Sequence, residues 1–472
     1  MEPKSRAVGG TEHSWCSAVP GGTGIAVLAI LTSKVSELLP LQNALQKLQH
    51  SHPILMSRLL YNPALNTASP FSFITSPNAF IQLKTFDLAS TSDILEHCRL
   101  NADPETEPIS PFHVIMEHEL NLNSWCSSTD ISSKSDLFYA TNYALEDGKW
   151  VLVLRLHVSA CDRTTAVSLL KELLMLASGE EGGGGGVEKE MCSKEEVGLG
   201  IESLIPNGLA KKALWARGMN MVGYSVDSLR LSNLKFNDVK SPRYSQVVRL
   251  QMDQFETERL VTGCKDRGIK LCGALVAAGL IAAHSSRSHK YYKQKKYGVV
   301  TLTDCRSILE PPLSSHNFGF YHAAIMNTHV MKGTEKLWEL ATKAYMSMAN
   351  SKKSNKHFSD MADLNFLMRK AVESPGLTAA SSLRTSVISV FEDTVVDDTR
   401  KTLKEAVGLE DYMGCSSVHG IGPSIALFDT IRDGRLDCVC VYPAPLHSRE
   451  QMVELVGNMK RVLVEGCNDV VV

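Results

Sequence analysis

Apolar residues along the chain recur in two patterns, short unbroken runs and stripes three to four residues apart, and these predict alternating strands and helices. Residues 25–31 (IAVLAIL) are apolar throughout and lie between glycines, as in a buried strand. A helix over 41–50 follows, with Leu41, Leu45 and Leu48 on one side and Pro53 just beyond its end. Residues 137–145 and 150–156 predict neighbouring strands joined by a turn at Glu146, Asp147 and Gly148. The second of these, WVLVLRL, is apolar at nearly every position and belongs in the middle of a sheet. A helical stripe at Val167, Leu170, Leu173 and Leu174 then runs over 164–177.

The pattern repeats in style after Ser245, with a strand over 246–252, a helix capped by Asp253 and Glu256, a small-residue apolar helix over 273–284, and a strand over 299–303 that ends at Asp304-Cys305-Arg306. The last helix is announced by Ser448 and Gln451, a capping box, and by a stripe through Met452, Leu455, Val456, Met459, Val462 and Leu463. No solenoid period is present. Residues 178–200 (SGEEGGGGGVEKEMCSKEEVGLG) break the rhythm, because a glycine run and a charged run bury too little to offset their ordering entropy. They are expected to form a mobile loop closing an N-terminal lobe at 1–200, with a C-terminal lobe over 201–472. The fold class expected is α/β, a two-layer mixture of sheet and helix in two related lobes.

Composition narrows the function classes. The chain has 472 residues, 44% hydrophobic content and a formal net charge of −2, which gives no electrostatic footprint for nucleic acid or an anionic membrane. Its 12 cysteines contain no CxxC, so reduced, mostly buried thiols are expected rather than a disulfide framework or a zinc site, and no metal is expected. The first ten residues are polar and the longest apolar stretch is far short of the roughly 20 residues that span a bilayer. A cytoplasmic protein, monomeric by default, is the expectation. P-loop, GxGxxG, GxSxG and HExxH patterns are all absent.

One site stands out. His157 ends the apolar strand, and Val158-Ser159-Ala160-Cys161-Asp162-Arg163 leads into the next helix. A strand-end imidazole with a carboxylate at the following loop–helix junction can present a general base. The same pattern also fits a histidine bonded to backbone beside an Asp that caps the helix.

The phrase HVSACDRTTAVSLLKELL resembles the HHxxxDG segment of the superfamily that contains chloramphenicol acetyltransferase, the plant BAHD acyltransferases and the condensation domains of peptide synthetases. LQNALQKLQHSHPILMSRL, FETERLVTGCKDRGIKLCGALVAAGLIAA and VVTLTDCRSILEPPLSSHNFGFY are similar to further passages of that superfamily in the same order. Among relatives the chain resembles the plant condensation-domain-containing proteins. The resemblance implies two pseudo-symmetric chloramphenicol acetyltransferase-like lobes with a central channel. It also implies direct attack of a small-molecule alcohol or amine on acyl-CoA as co-substrate, with no permanently bound cofactor. It makes His157 the base, Asp162 structural support, and Arg306 the ion-pair partner of Asp162.

Three departures matter, the simplest being Arg163 in place of the usual glycine, which calls for a different backbone geometry at that turn. Aligned on Asp162, the second histidine of the pair falls on Val158, so the spacing is HxxxxD. Since successive strand residues face opposite ways, this displacement can turn the imidazole away from a channel that Val158 would line. The DFGWG element of BAHD enzymes is also absent; HGIGPSIALFD stands in roughly that region and makes His419 a second channel-lining candidate. A catalytically impaired member that binds a small molecule or a protein partner is the competing expectation.

Overall fold

The computed structural model describes the chain apart from residues 1–3, 35–37, 64–68, 101–108, 127–133, 180–196, 214, 216–217, 219–230, 287–293 and 469–472. Most of the expected 178–200 loop thus lies outside the described residues. The chain divides into two compact units. The first comprises Met1–Leu204, Arg306–Tyr321 and Thr399–Ser417, and the second Ile205–Cys305, His322–Asp398 and Val418–Val472. Two returns of chain, at 306–321 and 399–417, are therefore built into the first unit, where a single cut at residue 200 would leave them out.

In the first unit a five-stranded sheet runs, in spatial order, Leu409–Val418, Thr23–Thr32, Trp150–His157, Phe138–Ala144 and Leu83–Phe86. The unbroken apolar run at Trp150–His157 is the central strand, as its composition predicts. It pairs antiparallel with Thr23–Thr32 from Trp150 opposite Thr32 to His157 opposite Ile25, without a bulge. On its other side the hairpin to Phe138–Ala144 is closed by Leu145 and Lys149, with Gly148 at a φ of 74°.

Alternation divides this strand between two environments. Leu152, Leu154 and Leu156 enter an apolar core with Leu41, Leu45 and Leu48 of the Leu38–Ser51 helix and Leu169, Leu170, Leu173 and Leu174 of the Arg163–Ser178 helix. Arg155 and His157 point to the opposite face. There Arg155 and the Tyr143 hydroxyl both donate to the buried carboxylate of Glu119, on the Pro111–Asn121 helix. A smaller sheet orders Lys4–Ala7, Phe71–Thr75, Ser57–Tyr61 and Lys134–Asp136.

The second unit is a seven-stranded sheet whose main path is His322–Met331, Lys295–Asp304, Arg384–Phe391, Gly422–Arg432, Arg435–Ala444 and Tyr244–Gln251. The small-residue helix Leu271–Ser285 is buried along most of its length, packed by Leu337–Lys353 and Arg449–Asn468. Small side chains let these backbones approach, which explains why so apolar a helix carries no amphipathic stripe. Asp253 and Glu256 form the expected reciprocal capping box. At the final helix only half of the expected capping box forms: Gln451 N–H donates to Ser448 Oγ, but the Gln451 side chain turns to the Lys235 carbonyl instead of back to Ser448. Among the described residues no single helix is long and apolar enough to cross a membrane, and the described cysteines are buried except Cys98 and Cys126.

Candidate functional site

The Trp150–His157 strand ends in one turn of 3₁₀ helix, Val158–Ala160, before Asp162 caps the Arg163–Ser178 helix. His157 itself caps that short turn. Its Nδ1 accepts from the Ser159 backbone N–H at 3.2 Å and lies 2.7 Å from Ser159 Oγ. A backbone N–H can only donate, so Nδ1 is the bare nitrogen and Nε2 carries the ring hydrogen. Nε2 is buried without a hydrogen-bond partner among the described residues. The ring stands edge-on to Trp125, at 5.3 Å and 86°, and the residue is 0% exposed. Trp125 is itself fixed by its indole N–H, which donates to the Asp136 carbonyl at 2.8 Å.

Burial pushes the His157 pKa down to about 3. Protonating the enclosed ring therefore costs on the order of 5 kcal/mol more than in water. A general base works best when its pKa is near the working pH, and this ring is far below it.

Val158 lies against the preceding strand entrance. A Cβ added at Gly24, whose φ is +97°, would sit 2.6 Å from Val158 Cγ1, so only glycine leaves room for the valine. Val158 is 6% exposed.

Asp162 is a hub. Its carboxylate accepts from Thr165 N–H at 2.9 Å, from both Arg306 Nη atoms at 2.8 and 2.9 Å, and from Tyr321 N–H at 2.8 Å. Arg306 also donates to Thr165 Oγ1 at 3.1 Å and to the Asn317 carbonyl at 3.2 Å, and its guanidinium lies 4.9 Å from the Tyr321 ring centroid. Both charged groups are buried. The pair thus anchors the return 306–321 onto the helix start. Arg163 begins the helix in ordinary helical conformation, so its position needs no glycine.

His419 lies in the second unit, half-buried, with Nδ1 3.0 Å from Ser245 Oγ. Burial, with Arg384 and Arg243 adding to it, pushes its pKa down to about 4. Asp162 and Arg306 are therefore brought together, whereas the His157 ring bonds to Ser159 rather than to Asp162. The Asp162 cap on Thr165 N–H is the one expected from the sequence; sequence reading missed Trp125, Ser159 and Tyr321, and only Ser159, two places after the histidine, carried a local signal. Among the described residues no group of His, Cys, Asp and Glu is arranged to hold a metal ion.

No family profile matches the chain, and no curated protein matches it by sequence. Solved structures do match over nearly the whole length. The trichothecene 15-O-acetyltransferase of Fusarium sporotrichioides superposes with a TM-score of 0.68 at 10% identity, covering 98% of this chain and 95% of that one. The first condensation domain of the calcium-dependent antibiotic synthetase gives 0.62 at 12% identity, covering 99% and 97%. The X-domain in complex with OxyB from teicoplanin biosynthesis gives 0.58 at 13% identity, covering 99% and 94%. Identities this low speak for architecture alone. The chain therefore has the mixed α/β fold seen in these condensation domains and in that acetyltransferase.

Proposed function

We propose that this chain is a binding member of the acyltransferase fold, holding a small-molecule ligand without using His157 as a general base. One observation carries the reading: the His157 ring is enclosed, with its bare nitrogen committed to Ser159 and its protonated nitrogen buried without a partner among the described residues. Accepting a substrate proton would require reaching a buried ring and creating an unpaired buried cation. In this reading Asp162 and Arg306 hold the return 306–321 in place and touch no ligand. The complex of an X-domain with OxyB is a precedent, within the same fold, for holding a partner.

A second reading is CoA-dependent acyl transfer to an alcohol or amine, with His157 as base. It is favoured by the unpartnered Nε2, a polar atom that a bound hydroxyl could meet, and by the presence of an O-acetyltransferase among the structural neighbours. A bare Nε2 would require the Ser159 contact to give way to the other tautomer.

The two readings separate in one assay. Release of free CoA thiol is followed across several acyl-CoAs and small alcohol and amine acceptors, with wild type, His157→Ala and His157→Gln in parallel. The binding reading expects no turnover that His157→Ala removes. A rate that falls by about a hundredfold or more in both variants, the usual contribution of a general base, establishes the acyltransferase reading instead. Turnover that survives His157→Ala but not His419→Ala moves the base to His419.

A further inference from the structure

The second unit gathers four basic side chains near the start of the Tyr244–Gln251 strand. Arg384 is 4% exposed. Its Nε donates to the Ser382 carbonyl at 3.0 Å, Nη1 to Val418 and Pro423 carbonyls at 3.0 and 2.5 Å, and Nη2 to the Gly420 carbonyl. Arg243 converges on the same place, with Nη1 donating to Ser382 O at 2.6 Å and Nη2 to Ser381 O at 3.1 Å. His419 and His447 complete the cluster, and the buried Nε2 of His447 has no partner among the described residues.

Carbonyl partners satisfy hydrogen bonds but do not cancel charge. A buried guanidinium ordinarily has a carboxylate beside it, as Arg306 has Asp162. Here, among the described residues, no carboxylate pairs with Arg384 or with Arg243. Burial, with Arg243 adding to it, lowers the Arg384 pKa to about 9.

The loop that receives both guanidiniums is also strained. Ala380, Ser381 and Leu383 have φ values of 51°, 52° and 57°, a left-handed conformation that costs non-glycine residues about 1 kcal/mol each. Ser381 N–H to Thr378 O at 3.0 Å and Leu383 N–H to Thr378 Oγ1 at 2.8 Å hold it there. Strain retained where two unneutralised arginines meet points to a site rather than a scaffold.

We infer that Arg243, with Arg384 behind it and His419 beside it, binds a small oxyanion, a carboxylate or phosphate group. Arg384 is locked by carbonyls and supplies charge from behind. Arg243 is half-buried, and each of its Nη groups keeps one N–H beyond the carbonyl it serves, which an oxyanion can accept. This names a ligand chemistry for the binding role proposed above, yet it stands whether or not His157 is a base, because thiol release decides that question and anion binding decides this one.

The test is calorimetric titration of the full chain with inorganic phosphate and, separately, with acetate, at constant ionic strength in chloride. Binding of at least one anion is expected, about tenfold or more weaker in Arg243→Ala, as expected for a hydrogen bond to a charged group. Exposed Arg58, paired with Asp136 in the first unit, supplies the control variant Arg58→Ala, which should bind as wild type does. The stronger of the two anions identifies the ligand as phosphate-bearing or carboxylate-bearing. If Arg243→Ala does not fold, Arg243→Lys and His419→Gln carry the test, each expected to weaken binding severalfold. Absence of binding by both anions, or equal affinity in wild type and the Arg243 and His419 variants, overturns the inference.

Discussion

At residue 157 the place of one side chain relative to its neighbour decides what the site can do. The strand runs without a bulge to His157, so alternation sends the ring to the Arg155 face, away from the core that receives Leu152, Leu154 and Leu156. There Trp125 closes over it. Val158 then takes the first place of the following turn and presses against Gly24. This contact is directly testable. Gly24→Ala introduces both a Cβ clash and a strained φ, and is expected to cost about 2 kcal/mol or more in denaturant unfolding; a loss within about 0.5 kcal/mol would show that Val158 moves aside freely. The alternation itself was legible in the sequence, and so was the danger that the HxxxxD spacing turns the ring inward. The lid was not legible, because Trp125 is separated from His157 by more than thirty residues and nothing local joins them.

At the scale of elements, Asp162 joins a helix start to a return of chain. It caps the Arg163–Ser178 helix through Thr165 N–H and neutralises Arg306, which begins the 306–321 segment. Removing either partner strands a buried charge. Asp162→Ala and Arg306→Ala are each expected to lose about 3–5 kcal/mol in denaturant unfolding, and Asp162→Asn less, since an amide still caps the helix. Single-variant losses below about 1 kcal/mol would contradict the buried pairing. Caps and stripes were readable because they are local: Asp253 with Glu256, Ser448 with Gln451, and the leucines of 164–177 act within two turns of helix. The four-stranded small sheet was not readable, since its strands are three to five residues long and pair residue 4 with residue 75.

Across the whole molecule, the three sheets and the two compact units are assembled from segments far apart in sequence. The glycine- and charge-rich stretch marks the end of the first run of chain, but nothing in the composition of 306–321 or 399–417 announces that they belong to the first unit. A property of the whole chain does follow from its buried imidazoles. Burial lowers His157 to about 3, and His329, His357, His419 and His447 to about 4. In the unfolded chain these rings bind protons near pH 6.5. Between pH 6.5 and about 4 the unfolded state therefore takes up protons that the folded state refuses, and stability falls as pH falls, by up to about 1.4 kcal/mol per pH unit for each ring. Glu392, held down to about 2 by hydrogen bonds from Lys270, Lys352 and Thr303, adds a loss at still lower pH. The denaturant midpoint is expected to drop already between pH 7 and 5, before most carboxylates titrate; a flat profile there would contradict the burial of these rings.

The most direct test of the account is the protonation state of His157 itself, read by ¹⁵N chemical shifts of labelled histidines through a pH titration and assigned by comparison with His157→Gln. The ring is expected to stay neutral from pH 8 to 5, with hydrogen on Nε2 and none on Nδ1. A His157 signal that titrates near pH 6.5, or that shows Nε2 bare at neutral pH, would contradict it and restore the imidazole as a working base.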